Sequence, residues 1–381
     1  MSRFFDLVTK PAREMGGYLP PPSARRPVET QPRLIKLDSN ENPFGPSPRA
    51  IKAMQSTLAA AHAYPDDDCA ELRGKLASFH DLPPEQVLVT AGSTALLGLL
   101  CQTMLAPGRN AVTSERSFIM YAMAVHATGG ELIETPMRQD GFDLDAILEA
   151  INEDTRLVFL ANPNNPTGTM LEASAVDKFI AEVPGHIVVV LDEAYYEFAA
   201  HFAARRKVEY SRSLNYLRQG ASVIVLRTFS KAHGLAGLRI GYGLGPSELL
   251  TYCARMHDTY SVSSMAQAAA LAALADLNHI GRTVSNNAEQ AQILGVGLSE
   301  LGYRVVPTAA NFLYCDVGED AAGVAEQLRK LGVSVRPLGA WSAPTCIRVS
   351  IGTAEQNGKF LDAMQRITGK LSSAPAERGN D

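Results

Sequence analysis

Seven short runs rich in β-branched residues and leucine punctuate the middle of the chain: VLVT (87–90), AVTSE (111–115), ELIETP (131–136), RLVFLANP (156–163), HIVVVLDEAY (186–195), SVIVLRTFSK (222–231) and RIGYGLG (239–245). Helical stretches alternate with them. Near-continuous apolar runs separated by helices are what strands covered on both faces need, so the pattern predicts one predominantly parallel α/β sheet of seven strands.

The flanks read differently. Residues 1–48 hold a proline triplet at 20–22 and further prolines at 27, 32, 43, 46 and 48. Proline fixes φ and removes a donor, so this stretch is expected to be an extended arm. A helix over 282–301 leads into a smaller α+β domain. There NFLYCDV (311–317) is a strand, DAAGVAEQLRKLG a helix ending at Gly332, VSVRP and TCIRVSIG strands, and AEQNGKFLDAMQRI a last helix. The expected division is an arm at 1–48, a large domain at 49–280, a small domain at 281–370 and a disordered tail at 371–381. No internal repeat is present.

Composition narrows the partners. With 35 basic against 40 acidic residues the formal charge is −5, and no basic block follows a phosphate backbone, so nucleic acid is not expected. No run of 18 apolar residues occurs and the N-terminus lacks a signal-like apolar stretch, which predicts a soluble cytoplasmic protein without membrane contact. Five widely spaced cysteines read as reduced core thiols. The eight histidines form no HxH or HExxH pair, so no metal is expected.

Four segments carry chemistry. In TFSKAHGLAGLRIGYG (228–243) a hydrophobic strand delivers Lys231 to the carboxyl edge of the sheet, where open α/β sheets bind ligands. A surface lysine after a strand is the plainer alternative. In VVVLDEAYYEF, Asp192 and Glu193 end a buried strand, and a carboxylate there needs a cationic partner such as a protonated pyridine nitrogen. Tyr195, three residues on from Asp192, could reach a ring hydroxyl. The alternative makes Asp192 a helix cap and pairs Glu193 with an arginine. LANPNNPTGT (160–169) demands a tight ordered turn that presents an asparagine amide at the sheet edge. In TAGSTALLGLL, Gly92, Ser93 and Thr94 open a helix after a strand and offer free N–H groups to an anion, with Ser93 as a simple N-cap the alternative.

Together these segments resemble the fold-type-I pyridoxal-phosphate aminotransferases, and within them the histidinol-phosphate aminotransferase branch. The resemblance runs from LDSNENPFGPSP (37–48) through YPDDDCAELR, AGST, ERSFIMY, NPNNPTGT, LDEAY and TFSKAHGLAGLRIGYG to CIRVSIGT (346–353). It implies an α/β fold with a large, mainly parallel sheet domain and a smaller α+β domain. It also implies pyridoxal 5'-phosphate as cofactor, held as a Schiff base on Lys231. By the same resemblance Asp192 partners the pyridine nitrogen, and Tyr195 and Asn165 donate to the ring oxygen. Ser93, Thr94, Thr228, Ser230 and Arg239 surround the phosphate, beside Gly92, and Phe118 stacks on the ring. Tyr64 reaches the phosphate of a neighbouring subunit in a homodimer. Arg348 holds the substrate's anion, with Arg336, Tyr18 and Asn42 as further substrate-binding candidates.

The implied reaction is ping-pong transfer of an amino group from a small-molecule donor to a 2-oxo acid, with Lys231 moving the proton. Two departures from the branch stand out: Ala95 where many members carry an acidic residue, and Phe118 where some carry tyrosine. Trp341, the sole tryptophan, precedes Arg348 in GAWSAPT and is a candidate for the pocket wall. Rival readings are an aromatic aminotransferase of the same branch, a threonine-phosphate-decarboxylase-like enzyme, and a non-catalytic cofactor-binding regulator. GYGLG (241–245) lacks the spacing of a nucleotide-binding loop, and Asp66, Asp67 and Asp68 are read as neutralising a helix end rather than binding metal.

Overall fold

A computed structural model of the chain describes residues 4–5, 7–14 and 34–369. All seven runs become strands of one sheet: β1 (Val87–Thr90), β2 (Asn110–Ser114), β3 (Glu131–Thr135), β4 (Thr155–Ala161), β5 (Val188–Asp192), β6 (Val223–Thr228) and β7 (Gly241–Leu244). Their order across the sheet is β1-β7-β6-β5-β4-β2-β3. Neighbours from β6 to β3 run parallel, and β7 alone runs antiparallel to β6 and β1. Every residue of β5 and β6 is buried, because helices cover both faces. At the edge, β3 turns Glu131 and Glu134 outward, and charge on an edge strand opposes pairing with another chain.

A second sheet is wholly antiparallel and contains β8 (Arg304–Val306), β9 (Phe312–Asp316), β10 (Arg336–Leu338) and β11 (Ala343–Ser350), in the order β8-β9-β11-β10. Strand β8 was not expected; its three residues are too few to show a period. The helix leading in, α1 (Leu277–Glu300), starts before the expected residue 282. The last helix, α2 (Ala354–Ile367), begins at a capping box in which Thr353 Oγ1 accepts from Gln356 N and Gln356 Oε1 accepts from Thr353 N. The terminal threonine of CIRVSIGT is therefore a helix cap.

Buried apolar residues form one large cluster around the seven-stranded sheet and a second around the four-stranded sheet. The N-terminal stretch joins the second. Ile35–Lys36 pairs in parallel with Val333–Ser334, and Leu37 is buried among the side chains of that cluster. The expected extended arm also contains a short helix, Lys10–Glu14, whose Pro11 falls in the first turn, where a missing N–H costs nothing. Tyr18 and the tail at 371–381 lie outside the described residues.

Candidate active site

The carboxyl ends of β4, β5 and β6 open into a cavity of about 310 Å³, closed on its other side by β10, β11 and the segment around Asn40. At one end lies an anion cradle. The helix Ser93–Met104 has Gly92 as its N-cap, with no side chain to satisfy its first N–H groups, so these and the helix dipole face the cavity where Ser93 and Thr94 line it. Gly92 has φ 92°, and a Cβ there would stand 2.7 Å from the Arg239 guanidinium. The backbone angle favours glycine here, and a side chain would push the Arg239 guanidinium aside. Thr228, Ser230 and Arg239 complete the cradle, Arg239 Nη1 lying 3.5 Å from Ser230 Oγ.

Strand alternation separates the two acids of the LDEAY motif. Asp192 faces the cavity, where its Oδ2 accepts from Tyr121 OH (2.9 Å) and its Oδ1 from Ala194 N (3.2 Å). Burial pushes this carboxyl up to about 6, against the pull of those two hydrogen bonds, so a permanent cation placed beside it would restore its charge. Glu193 turns to the other side and meets Arg227 of β6 at 2.9 Å (Nε) and 2.7 Å (Nη2). The alternative role for Glu193 as an arginine's partner is the one it fills; Asp192 caps no helix.

Lys231 lines the same cavity. It reaches the carbonyl oxygens of Ser39 and Asn40, each at 3.3 Å. Although its side chain borders the cavity, enclosure by protein drives the ammonium down to about 7, with Arg348 acting in the same direction and Glu41 opposing. An amine near neutrality can act as nucleophile and base at neutral pH.

The Asn-Pro loop uses two of its asparagines as braces. Asn162 brackets Leu171 (3.1 and 2.9 Å), and Asn164 accepts from Ser117 OH and donates to Arg116 O and Thr167 Oγ1. Only Asn165 turns into the cavity, where its Oδ1 accepts from Arg348 Nη1 at 2.6 Å. Arg336 and Arg348 are register partners on β10 and β11, and both line the cavity. Phe118 and Trp341 supply apolar wall, with the indole N–H held by Ser117 O at 2.9 Å.

One expected residue is elsewhere. Asn42 does not line the cavity; its amide donates to Ala232 O (2.8 Å) and Thr283 Oγ1 (3.2 Å), and its Oδ1 accepts from Phe44 N. It braces the turn after Lys231, because the chain reverses at Asn40, which has φ 56° and takes the inward position instead. Tyr64, expected to reach a neighbouring subunit's site, lies outside this chain's own cavity, 81% exposed and stacked on Tyr260 with ring centroids 4.5 Å apart. Asn40, Glu41 and Tyr121 were not singled out from the sequence. The doubled asparagine of SNEN and the tyrosine of ERSFIMY were the available signals. Among the described residues no group of His, Cys, Asp and Glu is arranged to hold a metal, and Asp66 caps the helix Ala70–His80 through Ala70 N (2.7 Å).

An amine of lowered basicity and a buried carboxylate in one cavity, next to a helix end suited to an anion, fit an enzyme that works on amines and carbonyls. The chain belongs to the aminotransferase class I and II family, whose model matches residues 32–364. It is similar to histidinol-phosphate aminotransferase 2 of Pseudomonas aeruginosa, at 40% identity over 96% of this chain and 99% of that one. The histidinol-phosphate aminotransferase of Moorella thermoacetica is 41% identical over 88% of this chain and 85% of its own. Among solved structures, histidinol-phosphate aminotransferase from Sinorhizobium meliloti in complex with pyridoxal-5'-phosphate superposes with a TM-score of 0.87 at 28% identity, covering 98% and 99% of the two chains. The fold-type-I architecture and the aminotransferase activity expected from the sequence both stand.

Proposed function

We propose that this aminotransferase binds pyridoxal 5'-phosphate and moves the amino group of histidinol phosphate to 2-oxoglutarate, as a cytoplasmic homodimer with a large domain at 49–280 and a small one at 281–370. The donor set fits the cofactor: the Gly92–Thr94 helix end with Thr228, Ser230 and Arg239 suits its phosphate, Phe118 its ring face, and Asp192 its ring nitrogen. Tyr195 and Asn165 suit its ring oxygen. When bound, the group supplies an electron sink. Lys231 then moves the proton at the substrate's amine-bearing carbon, and Asp192 keeps the ring nitrogen protonated.

The pairing of Arg336 with Arg348 carries the substrate reading. Strand register brings both guanidinium groups into one cavity, and two fixed cations suit a phosphate monoester, whereas one suffices for a carboxylate. The apolar walls Phe118 and Trp341 favour the second reading, an aromatic amino acid as donor. The exposed Tyr64–Tyr260 pair supports a partner subunit, and among the described residues no helix is long and apolar enough to cross a membrane.

Loaded enzyme mixed separately with histidinol phosphate, glutamate, phenylalanine, tyrosine and aspartate tests this. Histidinol phosphate and glutamate should bleach the visible band, and Arg336→Ala should weaken histidinol phosphate far more than glutamate. Equal weakening, or bleaching by phenylalanine or tyrosine without histidinol phosphate, overturns the phosphate reading in favour of the aromatic one.

A further inference from the structure

Asn40 is the most heavily constrained polar residue at the edge of the cavity. It is 1% exposed, holds φ 56°, and belongs to no helix or strand. Its four hydrogen-bonding groups are all engaged. The backbone N–H donates to Ser350 Oγ at 2.7 Å, and the Ser350 hydroxyl donates onward to Asn40 Oδ1 at 3.1 Å. The backbone carbonyl accepts from Asn311 Nδ2 at 2.9 Å and lies 3.3 Å from Lys231 Nζ. The side-chain Nδ2 donates to Tyr195 OH at 3.0 Å.

A main-chain N–H can only donate, so Ser350 Oγ accepts from it and has its single hydrogen left to give. In the structure that hydrogen goes to the amide oxygen at 3.1 Å, with the amide nitrogen turned toward Tyr195. An amide nitrogen only donates, so the phenol oxygen accepts and the phenol's own hydrogen points elsewhere. A phenol that accepts one hydrogen bond is the stronger donor of another, since chains of hydrogen bonds polarise one another.

We infer that Asn40 is a positioning residue for the transamination chemistry: through Ser350 and its amide it sets the hydrogen-bond direction of Tyr195, and through its carbonyl it holds Lys231. The inference rests on the reading that Tyr195 serves the cofactor's ring oxygen. It reaches past the residues that touch that group to the segment joining the two sheets, because Ser350 and Asn311 belong to or adjoin the four-stranded sheet while Tyr195 and Lys231 follow β5 and β6. A shift of one sheet against the other would therefore reach the phenol and the amine together.

The test is a pH titration of the visible absorption band of protein loaded with pyridoxal 5'-phosphate. The ring oxygen is more negative in the deprotonated form, so a weaker donor there raises the midpoint. Asn40→Gly removes the amide and tolerates the left-handed backbone; Ser350→Ala releases the amide's orientation and also takes away the acceptor of the Asn40 backbone N–H. Asn40 does not titrate, and the charges facing the amine, Arg348, Glu41, Arg239 and Asp192, are the same in every variant. Tyr195→Phe should raise the midpoint most. Asn40→Gly should raise it by roughly 10–30% of that shift, and Ser350→Ala should raise it less. In the Asn40→Gly, Tyr195→Phe double variant the midpoint should equal that of Tyr195→Phe alone. An unchanged midpoint in Asn40→Gly, or a shift that adds in full to that of Tyr195→Phe, overturns the inference. A wild type that forms no band, or a Tyr195→Phe midpoint equal to wild type, overturns the cofactor reading itself and is distinguishable from both.

Discussion

Asp192 and Lys231 line one cavity that solvates neither well, and their protonation is displaced in opposite senses: the acid up to about 6, the amine down to about 7. Asp192→Asn keeps an oxygen for Tyr121 OH and removes the charge. It should lower turnover by about 10²- to 10³-fold, the worth of a preorganised charge in an active site, without lowering the melting temperature of the cofactor-free protein. A variant with near wild-type kcat refutes the role given to Asp192. For Lys231 the folded value lies below the unfolded value of 10.5, so between about 7 and 10.5 the unfolded chain binds more protons and stability rises with pH. Above that window the contribution of neutral Lys231 is fully present; it is lost as pH falls through about 7. Cofactor-free wild type should therefore gain melting temperature relative to Lys231→Met as pH rises from 7 to 10. A constant difference between the two melts across that range would show that the amine is not held near neutrality.

At the scale of elements, β5 and β6 are joined across the buried layer by more than backbone bonds. Glu193 and Arg227 form an ion pair with side chains 2% and 5% exposed, and Ser211 and Ser213 donate to the same carboxylate. The Arg227 guanidinium also lies 3.3 Å from the Tyr196 ring centroid. This pair lies on the side of the strands opposite the cavity, so its work is to hold the two strands whose ends carry Asp192 and Lys231. Removing one partner leaves a buried charge without compensation, which costs about 3–5 kcal/mol. Arg227→Met should show that loss in denaturant unfolding, and Glu193→Gln combined with Arg227→Met should recover a large part of it. Equal losses in the single and double variants would mean that the guanidinium contributes by packing on Tyr196 rather than by charge.

At the scale of the whole molecule, the cavity exists because two sheets meet. Arg348 of the four-stranded sheet donates to Asn165 of the loop after β4, Trp341 donates to Ser117, and Arg304 pairs with Asp140 at 2.7 Å. Tyr64 and Tyr260 present a stacked aromatic pair outward, a feature that fits a symmetric partner supplying Tyr64 to the other subunit's phosphate cradle. Inactive Tyr64→Ala subunits mixed with inactive Lys231→Ala subunits should then recover activity, since one of the two hybrid sites holds both groups. No recovery, with subunit exchange demonstrated by mass, would place Tyr64 in service of its own chain or of none.

The strand set and several cavity-lining residues were legible because their signals are local. Runs such as VVVLD and VIVLRT advertise burial on both faces, and Lys231, Asp192, Ser93 and Asn165 sit at strand ends or turns whose position along the chain already says where they go. Strand β8 escaped because three residues carry no period. The exchange of Asn42 for Asn40 escaped for a different reason: which asparagine of SNEN turns inward depends on a left-handed residue held by Ser350, 310 positions away. Likewise Tyr121 reaches Asp192 only because β4 lies between β2 and β5, bringing the helix after residue 119 over the end of β5. Residue type and spacing determined the strand set, and the family resemblance those motifs carry supplied the fold type and the aminotransferase activity. The direction of each hydrogen bond, the displaced protonation of Lys231 and Asp192, and the pairing of Arg336 with Arg348 were decided by the tertiary structure, since each depends on distance through space and on exclusion of water, and neither is written into local sequence.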